Sequence, residues 1–364
     1  MNKTSVEKEY ISKTLKNYKI IKELKGSSAA EIYVVEHQNQ YKVLKIACTK
    51  GIDNGNDKLR GEIDFFLNLP VDVRDRFAEV YEYNVVGENV WYTMPFYKEY
   101  KTLKEHILEG KDCHKIIVNI MDFMFSKLYT NYFSIGDSKE HNLNRIKMRI
   151  KETIKLNNSF QDLIDSNRII INDKSYMNYK EVLEKLEQKF PEIFTNNITM
   201  LIHKDLAIEN ILVSEDLSTF KLIDPRGPGN KKDFADYTYD LAKYSYSLNG
   251  FTAIKDNEFE LVEINHSHFS FQFNRNFQIK FDKAYKDSIL VLENKILSYF
   301  DIDKYWMERL YLTEACNFLA TVPCFLYKSV DSHKGTALYL QGIILLNNLY
   351  EKIHENKRGF LTVK

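Results

Sequence analysis

The sequence predicts an α+β fold, with a small antiparallel sheet near the amino terminus and a mostly helical remainder. Over the first hundred residues, short runs of β-branched and aromatic residues alternate with turn residues, as in β-hairpins. Farther along the chain, apolar side chains recur at helical spacing over longer segments. The change of pattern divides the chain into an N-lobe, residues 1–98, and a larger C-lobe, residues 99–364.

Composition excludes several classes of protein. The 364 residues include 51 Lys and Arg and 51 Asp and Glu, so the formal net charge is zero and we expect no nucleic-acid partner. The sequence lacks an apolar run of about 18 residues, so we expect no membrane insertion. The 4 cysteines lack the spacing of a zinc site or a disulfide framework, which favours a cytoplasmic protein. Composition does not indicate an oligomeric state.

The first strands of the N-lobe are predicted at 18–24, 31–36 and 41–47. A small-residue turn at 26–30 separates the first two strands, and a polar turn at 38–40 joins the second to the third. This order predicts an antiparallel meander.

One helix interrupts these strands. Apolar residues at helical spacing predict it over 58–69, where Pro70 ends it, and the Gly- and Asn-rich stretch 51–57 is predicted as a loop. A further hairpin is predicted over 79–96. The N-lobe is thus predicted as one sheet with one helix.

The C-lobe is predicted to be helical on both sides of a strand-rich segment, 199–226. The predicted helices are 102–108, 115–129, 143–156, 179–190, 285–300, 304–320 and 338–353. The strand-rich segment carries most of the chemically informative residues.

Three polar residues in that segment have a characteristic spacing. Asp205 follows His203 by two residues, Asn210 lies five residues later, and Asp224 ends an apolar strand. This order resembles the catalytic loop and metal-binding segment of the protein-kinase-like superfamily. The form His-Lys-Asp-Leu-x-x-x-Asn-Ile-Leu is more similar to the aminoglycoside phosphotransferase and choline kinase branch, whose members phosphorylate small molecules.

The resemblance implies a two-lobed protein-kinase-like fold that binds ATP between the lobes. Phosphoryl transfer requires positioning and neutralisation of negative charge. By resemblance, Asn210 and Asp224 would hold Mg²⁺, and Asp205 would orient the acceptor hydroxyl and take its proton. His203 would anchor the loop through hydrogen bonds rather than react.

The N-lobe has the remaining residues of this pattern in the expected order. Lys45 takes the position of the lysine that contacts the α- and β-phosphates, and Glu62 is its expected ion-pair partner. The residues expected to bind the nucleotide are Gly26, Ser27, Ser28, Val43, Lys45, Glu62 and Met94. Val43 would lie against the adenine, and residues 92–96 would link the lobes.

Two features depart from the family pattern. Lys204 stands where the small-molecule kinases usually have glycine. Pro225, Arg226 and Gly227 follow Asp224 in place of Phe-Gly. Together with Tyr-Asp-Leu-Ala-Lys at 239–243, this segment is similar to phosphotransferase-like proteins associated with capsule and surface-polysaccharide synthesis.

The sequence thus predicts a phosphotransferase that moves the γ-phosphoryl group of ATP, with Mg²⁺, to a hydroxyl of a small molecule such as a sugar or surface-polysaccharide precursor. Two alternatives remain: a nucleotide-binding pseudokinase or regulatory module, and a protein kinase. The sequence does not distinguish ATP from GTP.

Two further features have competing interpretations. The insert 136–198 includes Arg145 and Arg149, which either form a solvated helix face or bind an anionic acceptor. His266 and His268 share one strand face, and a solvated strand is favoured over a metal site because no third ligand is evident nearby.

Overall fold

The computed structural model describes residues 14–24, 30–48, 54–130, 133–135, 139–158, 160–194, 198–227, 235–300, 303–326 and 332–354. The chain forms two compact units. The first comprises Met1–Leu103, His203–Asp205 and Glu209–Asp233, and the second comprises Lys104–Ile202, Leu206–Ile208 and Phe234–Lys364. The lobe boundary between residues 98 and 99 stays a prediction.

The secondary structure is numbered in chain order. The strands are β1 Lys19–Leu24, β2 Ala30–His37, β3 Gln40–Ala47, β4 Tyr83–Asn84, β5 Trp91–Pro95, β6 Tyr100–Thr102, β7 Phe133–Ile135, β8 Arg168–Ile171, β9 Lys174–Met177, β10 Ile198–Met200, β11 Ile211–Ser214, β12 Phe220–Leu222, β13 Phe259–Asn265 and β14 His268–Phe273. The helices are α1 Gly55–Leu67, α2 Leu103–Leu108, α3 His114–Phe123, α4 Lys139–Leu156, α5 Phe160–Asp165, α6 Tyr179–Glu187, α7 Phe190–Ile193, α8 Thr238–Tyr246, α9 Thr252–Asp256, α10 Arg275–Tyr299, α11 Trp306–Leu326 and α12 His333–His354.

An antiparallel sheet of order β1-β2-β3-β5-β4 forms most of the first unit, as the sequence predicts. Gln38 and Asn39 join β2 to β3 with φ angles of 51° and 62°. Two successive residues with positive φ are typical of a type I′ turn, whose twist matches that of a hairpin. This turn fixes the register of β2 and β3, in which Lys45 opposes Ile32, and on the other side of β3 Lys45 opposes Tyr92 of β5.

Helix α1 begins earlier than predicted. The side chain of Asn54 accepts a hydrogen bond from the backbone N–H of Asn56, so the helix begins at Gly55, inside the stretch predicted as a loop. The buried face includes Leu59, Ile63 and Phe66. That face packs Glu62 into the unit's interior.

A second small sheet of order β12-β11-β6 completes the first unit. Strands β11 and β12 form a hairpin in which Ile211 opposes Leu222 and Val213 opposes Phe220. This hairpin carries the segment that the motif analysis singled out.

Helices dominate the second unit. Helix α11 is buried along most of its length and packs against α4, α8 and α12. Helix α10 begins ten residues before the prediction, because Asn274 caps it by accepting hydrogen bonds from the backbone N–H groups of Asn276 and Phe277.

A four-stranded sheet also lies in the second unit, where the sequence predicted helices and one strand with His266 and His268 on the same face. That strand prediction was wrong for His266, which lies in the turn between β13 and β14, whereas His268 begins β14. The order of the sheet is β13-β14-β8-β9, and β14 pairs with β8 in parallel. Strands β8 and β9 have four residues each, too few to show a period of two clearly. None of the helices in the described ranges is long and apolar enough to span a membrane.

Candidate active site

The first unit has a buried ion-pair cluster centred on Lys45. Its Nζ lies 2.7 Å from Oε2 of Glu62 and 2.7 Å from Oδ1 of Asp224. The side chains of Lys45 and Glu62 are 2% and 0% exposed. Burial alone would lower the pKa of Lys45, but the carboxylates of Asp224 and Glu62 outweigh it and raise the pKa well above the ordinary value. Lys45 is therefore a fixed cation at neutral pH.

Two further side chains surround Glu62. The hydroxyl of Tyr92 donates a hydrogen bond to Oε2 at 2.9 Å. Lys58, one helical turn before Glu62, places its Nζ 3.9 Å from Oε1. Sequence analysis did not identify Lys58, although the spacing of four residues between a lysine and a glutamate was a usable signal.

Asp224 is held in an unusual backbone conformation. Its φ is 59°, in the left-handed region that residues other than glycine seldom adopt. Burial would raise the pKa of Asp224, but the ammonium groups of Lys45 and Lys58 hold it below its ordinary value. The carboxylate is therefore ionised. Because 20% of the side-chain area is exposed, it can also reach a ligand.

The β11–β12 hairpin places Asn210 near Asp224. The backbone N–H of Ile223 donates to the carbonyl of Asn210 at 3.0 Å, and Asp224 is the next residue. The amide nitrogen of Asn210 donates to the backbone carbonyl of Asp205 at 2.8 Å. That hydrogen bond joins the two ends of the 205–210 loop. Because the amide nitrogen faces the carbonyl of Asp205, the amide oxygen of Asn210 faces away from it.

His203 stabilises the loop that carries Asp205. The backbone N–H of Asp205 donates to Nδ1 of His203 at 3.3 Å, and the imidazole stacks on Phe77 with ring centres 6.1 Å apart. Burial lowers the pKa of His203 to about 4, so the ring is neutral at pH 7. This arrangement agrees with the anchoring role expected for His203.

Asp205 forms an ion pair with Arg226. Nε of Arg226 donates to Oδ2 of Asp205 at 3.0 Å, and the backbone N–H of Arg226 donates to the carbonyl of His203 at 2.9 Å. Gly227 then passes close to helix α1, where a Cβ on Gly61 would lie 3.3 Å from the Cα of Gly227. From the sequence, Arg226 is a departure from the family pattern to which no role is assigned.

The remaining predicted nucleotide-binding residues divide into two groups. Val43 and Met94 are buried and face each other across β3 and β5. Gly26, Ser27 and Ser28 lie outside the described residues. The structure thus brings together Lys45, Glu62, Asp224, Asn210 and Asp205 within the first unit, and their catalytic roles remain proposals.

The basic insert residues have partners in the second unit. Arg145 donates to the hydroxyl of Tyr239 and to Oδ1 of Asn317, both at 2.8 Å. Arg149 donates to Glu152 at 2.9 Å. These bonds favour the structural interpretation of the insert over the acceptor-binding one.

A magnesium ion fits the donor atoms of the hairpin. Among the described residues no three His, Cys, Asp or Glu side chains cluster to hold a metal. An ionised carboxylate from Asp224 and an amide oxygen from Asn210 are the hard oxygen donors that Mg²⁺ takes when nucleotide phosphates and water complete its shell.

The fold is similar to that of solved small-molecule kinases. A thermostable mutant of aminoglycoside phosphotransferase APH(4)-Ia, in a ternary complex with AMP-PNP and hygromycin B, is 10% identical, with 94% of this chain and 98% of that chain covered and a TM-score of 0.51. The apo form of that mutant is 9% identical, with 93% and 97% covered and a TM-score of 0.50. Choline kinase from Cryptosporidium parvum Iowa II is 12% identical, with 94% and 91% covered and a TM-score of 0.45.

No model of a known protein family matches the sequence, and no curated protein matches it by sequence. Structural likeness at about one residue in ten identical establishes the fold and leaves the activity to be tested. The chain therefore has the two-lobed protein-kinase-like fold, which it shares with aminoglycoside phosphotransferase APH(4)-Ia, as its sequence motifs predicted.

Proposed function

We propose that this chain is a phosphotransferase that moves the γ-phosphoryl group of ATP, with Mg²⁺, to a hydroxyl of a small molecule. The observation that supports this best is the position of Lys45, held at 2.7 Å by both Glu62 and Asp224. A buried ammonium is costly unless it is paired, and here one of its two carboxylates remains accessible to a ligand. Such a lysine can transfer its contact from Asp224 to nucleotide phosphates.

Each residue of the cluster then has a separate task. Bound at Asn210 and Asp224, Mg²⁺ would neutralise the charge on the phosphates. Lys45 would contact the α- and β-phosphates, and Glu62 would keep its ammonium aimed at them. Val43 and Met94, buried on facing strands, would supply an apolar surface for the adenine.

Asp205 would act on the acceptor. A carboxylate can accept the proton of a hydroxyl as that oxygen attacks phosphorus, provided it lies within hydrogen-bond reach. The N–H group of Asp205 is bonded to His203, and the amide of Asn210 is bonded to its carbonyl, so its backbone is held on both sides. Little reorganisation would be needed when the acceptor binds.

The fold and the motif both support a small-molecule hydroxyl as the acceptor. The solved neighbour with hygromycin B binds a small hydroxyl-bearing molecule. The Asp-Pro-Arg-Gly segment supports a sugar or surface-polysaccharide precursor as acceptor. We further propose ATP rather than GTP as the first nucleotide to test, a cytoplasmic location, and a functional division into lobes 1–98 and 99–364.

Thermal unfolding with Mg·ATP, Mg·GTP and each nucleotide without Mg²⁺ tests the nucleotide site, because no acceptor has to be known. A ligand at 100 times its Kd adds about 2.7 kcal/mol to the native state. We expect a Mg²⁺-dependent rise in Tm for the wild type and for Asp75→Ala, an exposed control in the same unit. We expect the rise to disappear in Asp224→Ala. A rise that persists in Asp224→Ala would contradict the proposed metal site.

A nucleotide-binding module without turnover is the second candidate. It is favoured by one observation: Asp205 and Asp224 are both ion-paired with cations of the chain itself. Stable binding of Mg·ATP without ADP formation, over a broad set of hydroxyl acceptors, would support this module and contradict the enzyme.

A further inference from the structure

The ion pair between Arg226 and Asp205 lies at the residue that we propose as the base. Arg226 is attached to the loop twice, through its guanidinium to Asp205 at 3.0 Å and through its backbone N–H to His203 at 2.9 Å. An acceptor hydroxyl that reaches Asp205 must therefore come close to a guanidinium group.

This pair is more easily exchanged than the Lys45 pair. The side chain of Arg226 is 37% exposed and that of Asp205 is 17% exposed, whereas Lys45 and Glu62 are buried. Partly solvated ion pairs contribute little to stability, while buried ones are costly to break. Arg226 can thus exchange Asp205 for another anion, and Lys45 remains with Glu62.

Both cations and carboxylates surround Arg226. Burial, and then the nearby charge of Arg226, lower the pKa of the Lys58 ammonium. Lys204 directly precedes Asp205 in the chain. An acceptor substituent that takes the place of Asp205 at the guanidinium would be repelled if it is cationic and attracted if it is anionic.

The guanidinium group also suits a particular kind of anion. Its planar fork of N–H donors matches the two oxygens of a phosphate or a carboxylate and binds either in a bidentate manner. Lysine lacks this geometry, so replacement of Arg226 by lysine separates charge from shape.

We propose that Arg226 binds an anionic group of the acceptor, so that the acceptor carries both a hydroxyl and a phosphate or carboxylate. This inference rests on the proposed phosphotransferase function and specifies its substrate class. It predicts acceptors opposite in charge to choline or to an aminoglycoside.

Matched acceptors test the inference. ADP formation from Mg·ATP is measured with glycerol, glycerate and glycerol 3-phosphate, with glucose, glucuronate and glucose 6-phosphate, and with choline and hygromycin B. The same compounds are titrated by calorimetry onto the protein saturated with Mg·AMP-PNP, so that binding is measured where turnover is slow. We expect at least a tenfold preference for an anionic member over its neutral match, and the phosphate and carboxylate arms decide between the two oxyanions.

Variants then assign the preference to Arg226. Arg226→Gln should raise the KM or Kd of the preferred anionic compound at least tenfold and change that of the neutral match less than threefold, and Arg226→Lys should fall between. Arg60→Gln is the control, because Arg60 is also 37% exposed and also pairs with an aspartate, Asp57, at 2.9 Å in the same unit. It should behave as the wild type does.

Three results would overturn the inference: preference for neutral or cationic compounds, equal use of all compounds, or an anion preference that survives Arg226→Gln. Failure of the phosphotransferase proposal would look different. In that case either Mg·ATP would not raise the Tm of the wild type, or it would raise the Tm without forming ADP from any of the compounds, neutral, cationic or anionic.

Discussion

In the part of the chain that the structure describes, each unit contains a buried network of charges, and the two networks differ in access to solvent. In the first unit, Lys45 lies between Glu62 and Asp224. In the second, Nε of Arg309 donates to Asp236 at 2.7 Å, and its Nη1 donates to Asp303 at 2.9 Å. At the centre of each network one cation is held by two carboxylates.

The Arg309 network is closed and the Lys45 network is open. Arg309 is wholly buried, its two aspartates are nearly so, and it also donates to the carbonyl of Ile193 at 3.1 Å. Asp224, by contrast, keeps an accessible edge. Burial and ion pairing alone therefore do not identify an active site, because only a network with an exchangeable and accessible member can bind a ligand.

The largest expected effect is on catalysis at the open network. Asp205→Asn keeps the size of the side chain but removes its ability to take a proton, so kcat should fall about 10²- to 10⁴-fold. The Kd of Mg·ATP should change less than threefold. Initial rates with the best acceptor and calorimetry with Mg·AMP-PNP measure the two quantities.

Asp57→Asn is the matched control, an exposed carboxylate of helix α1 that pairs with Arg60. It should leave kcat unchanged. Full turnover by Asp205→Asn would remove Asp205 from the proposed role.

Disruption of the closed Arg309 network should lower the free energy of unfolding. Arg309→Leu leaves the carboxylates of Asp236 and Asp303 buried without their cation, and loss of one partner from a buried pair costs about 3–5 kcal/mol. Urea unfolding should show this loss. Arg168→Leu, which breaks an exposed pair with Glu181 in the same unit, should cost less than about 1 kcal/mol. Similar losses in both variants would contradict the distinction between closed and solvated pairs.

Sequence reasoning predicted the structure correctly where that structure is encoded locally, and the roles of Asp205 and Asn210 stay predictions. Asp205 and Asn210 are five residues apart, and the hairpin turn at Gln38 and Asn39 lies between two β-rich runs. Lys45 sits on a predicted strand and Glu62 on a predicted helix, and the structure confirms both elements. In each case neighbouring residues determine the conformation.

The same reasoning failed where partners are distant in the chain. Arg309 lies 73 residues from Asp236, and neither residue type signals a buried pair by itself. Strands β8 and β14 pair with His268 opposite Ile170, although these two residues are far apart in the chain. Arg226 was noted but not assigned, because its contact with Asp205 depends on the turn after Asp224. Tertiary packing, which local patterns do not contain, decides these contacts.

The second unit also contains a buried carboxyl group, Glu314, that has no cation beside it among the described residues. Its hydrogen-bond partner is an amide. Nδ2 of Asn249 donates to Oε1 of Glu314 at 3.0 Å. Burial raises the pKa of Glu314 from 4.5 to about 7. Between pH 4.5 and about 7, the folded protein therefore keeps a proton on Glu314 that the unfolded chain has released.

The direction in which stability changes with pH follows from this difference in pKa between the folded and unfolded states. The stability contributed by protonated Glu314 is fully present below pH 4.5 and is lost as pH rises through about 7. Glu314→Gln cannot ionise, so its stability relative to the wild type should rise by about 3 kcal/mol from pH 4 to pH 9. Urea unfolding across this range measures the difference, and exposed Glu263→Gln should give a difference that does not change with pH. A flat difference for Glu314→Gln would contradict the shift.

The smallest expected effect concerns the backbone next to Asp205. Lys204 has a φ of 64°, in the left-handed region that costs residues with a Cβ about 1–2 kcal/mol. This strain gives a physical reason for the glycine that the resembling small-molecule kinases have here. Lys204→Gly and Lys204→Ala both remove the ammonium group, so their difference in stability reports the backbone conformation.

We expect Lys204→Gly to be more stable than Lys204→Ala by about 1 kcal/mol, even though glycine makes the unfolded chain more flexible. Lys221, in the extended backbone of β12, provides the opposite case, because there glycine should be less stable than alanine. The free energies of unfolding of the four variants test both signs. If alanine were the more stable residue at both positions, the left-handed turn at Lys204 would not be strained, and the loop would hold Asp205 without storing energy in its backbone.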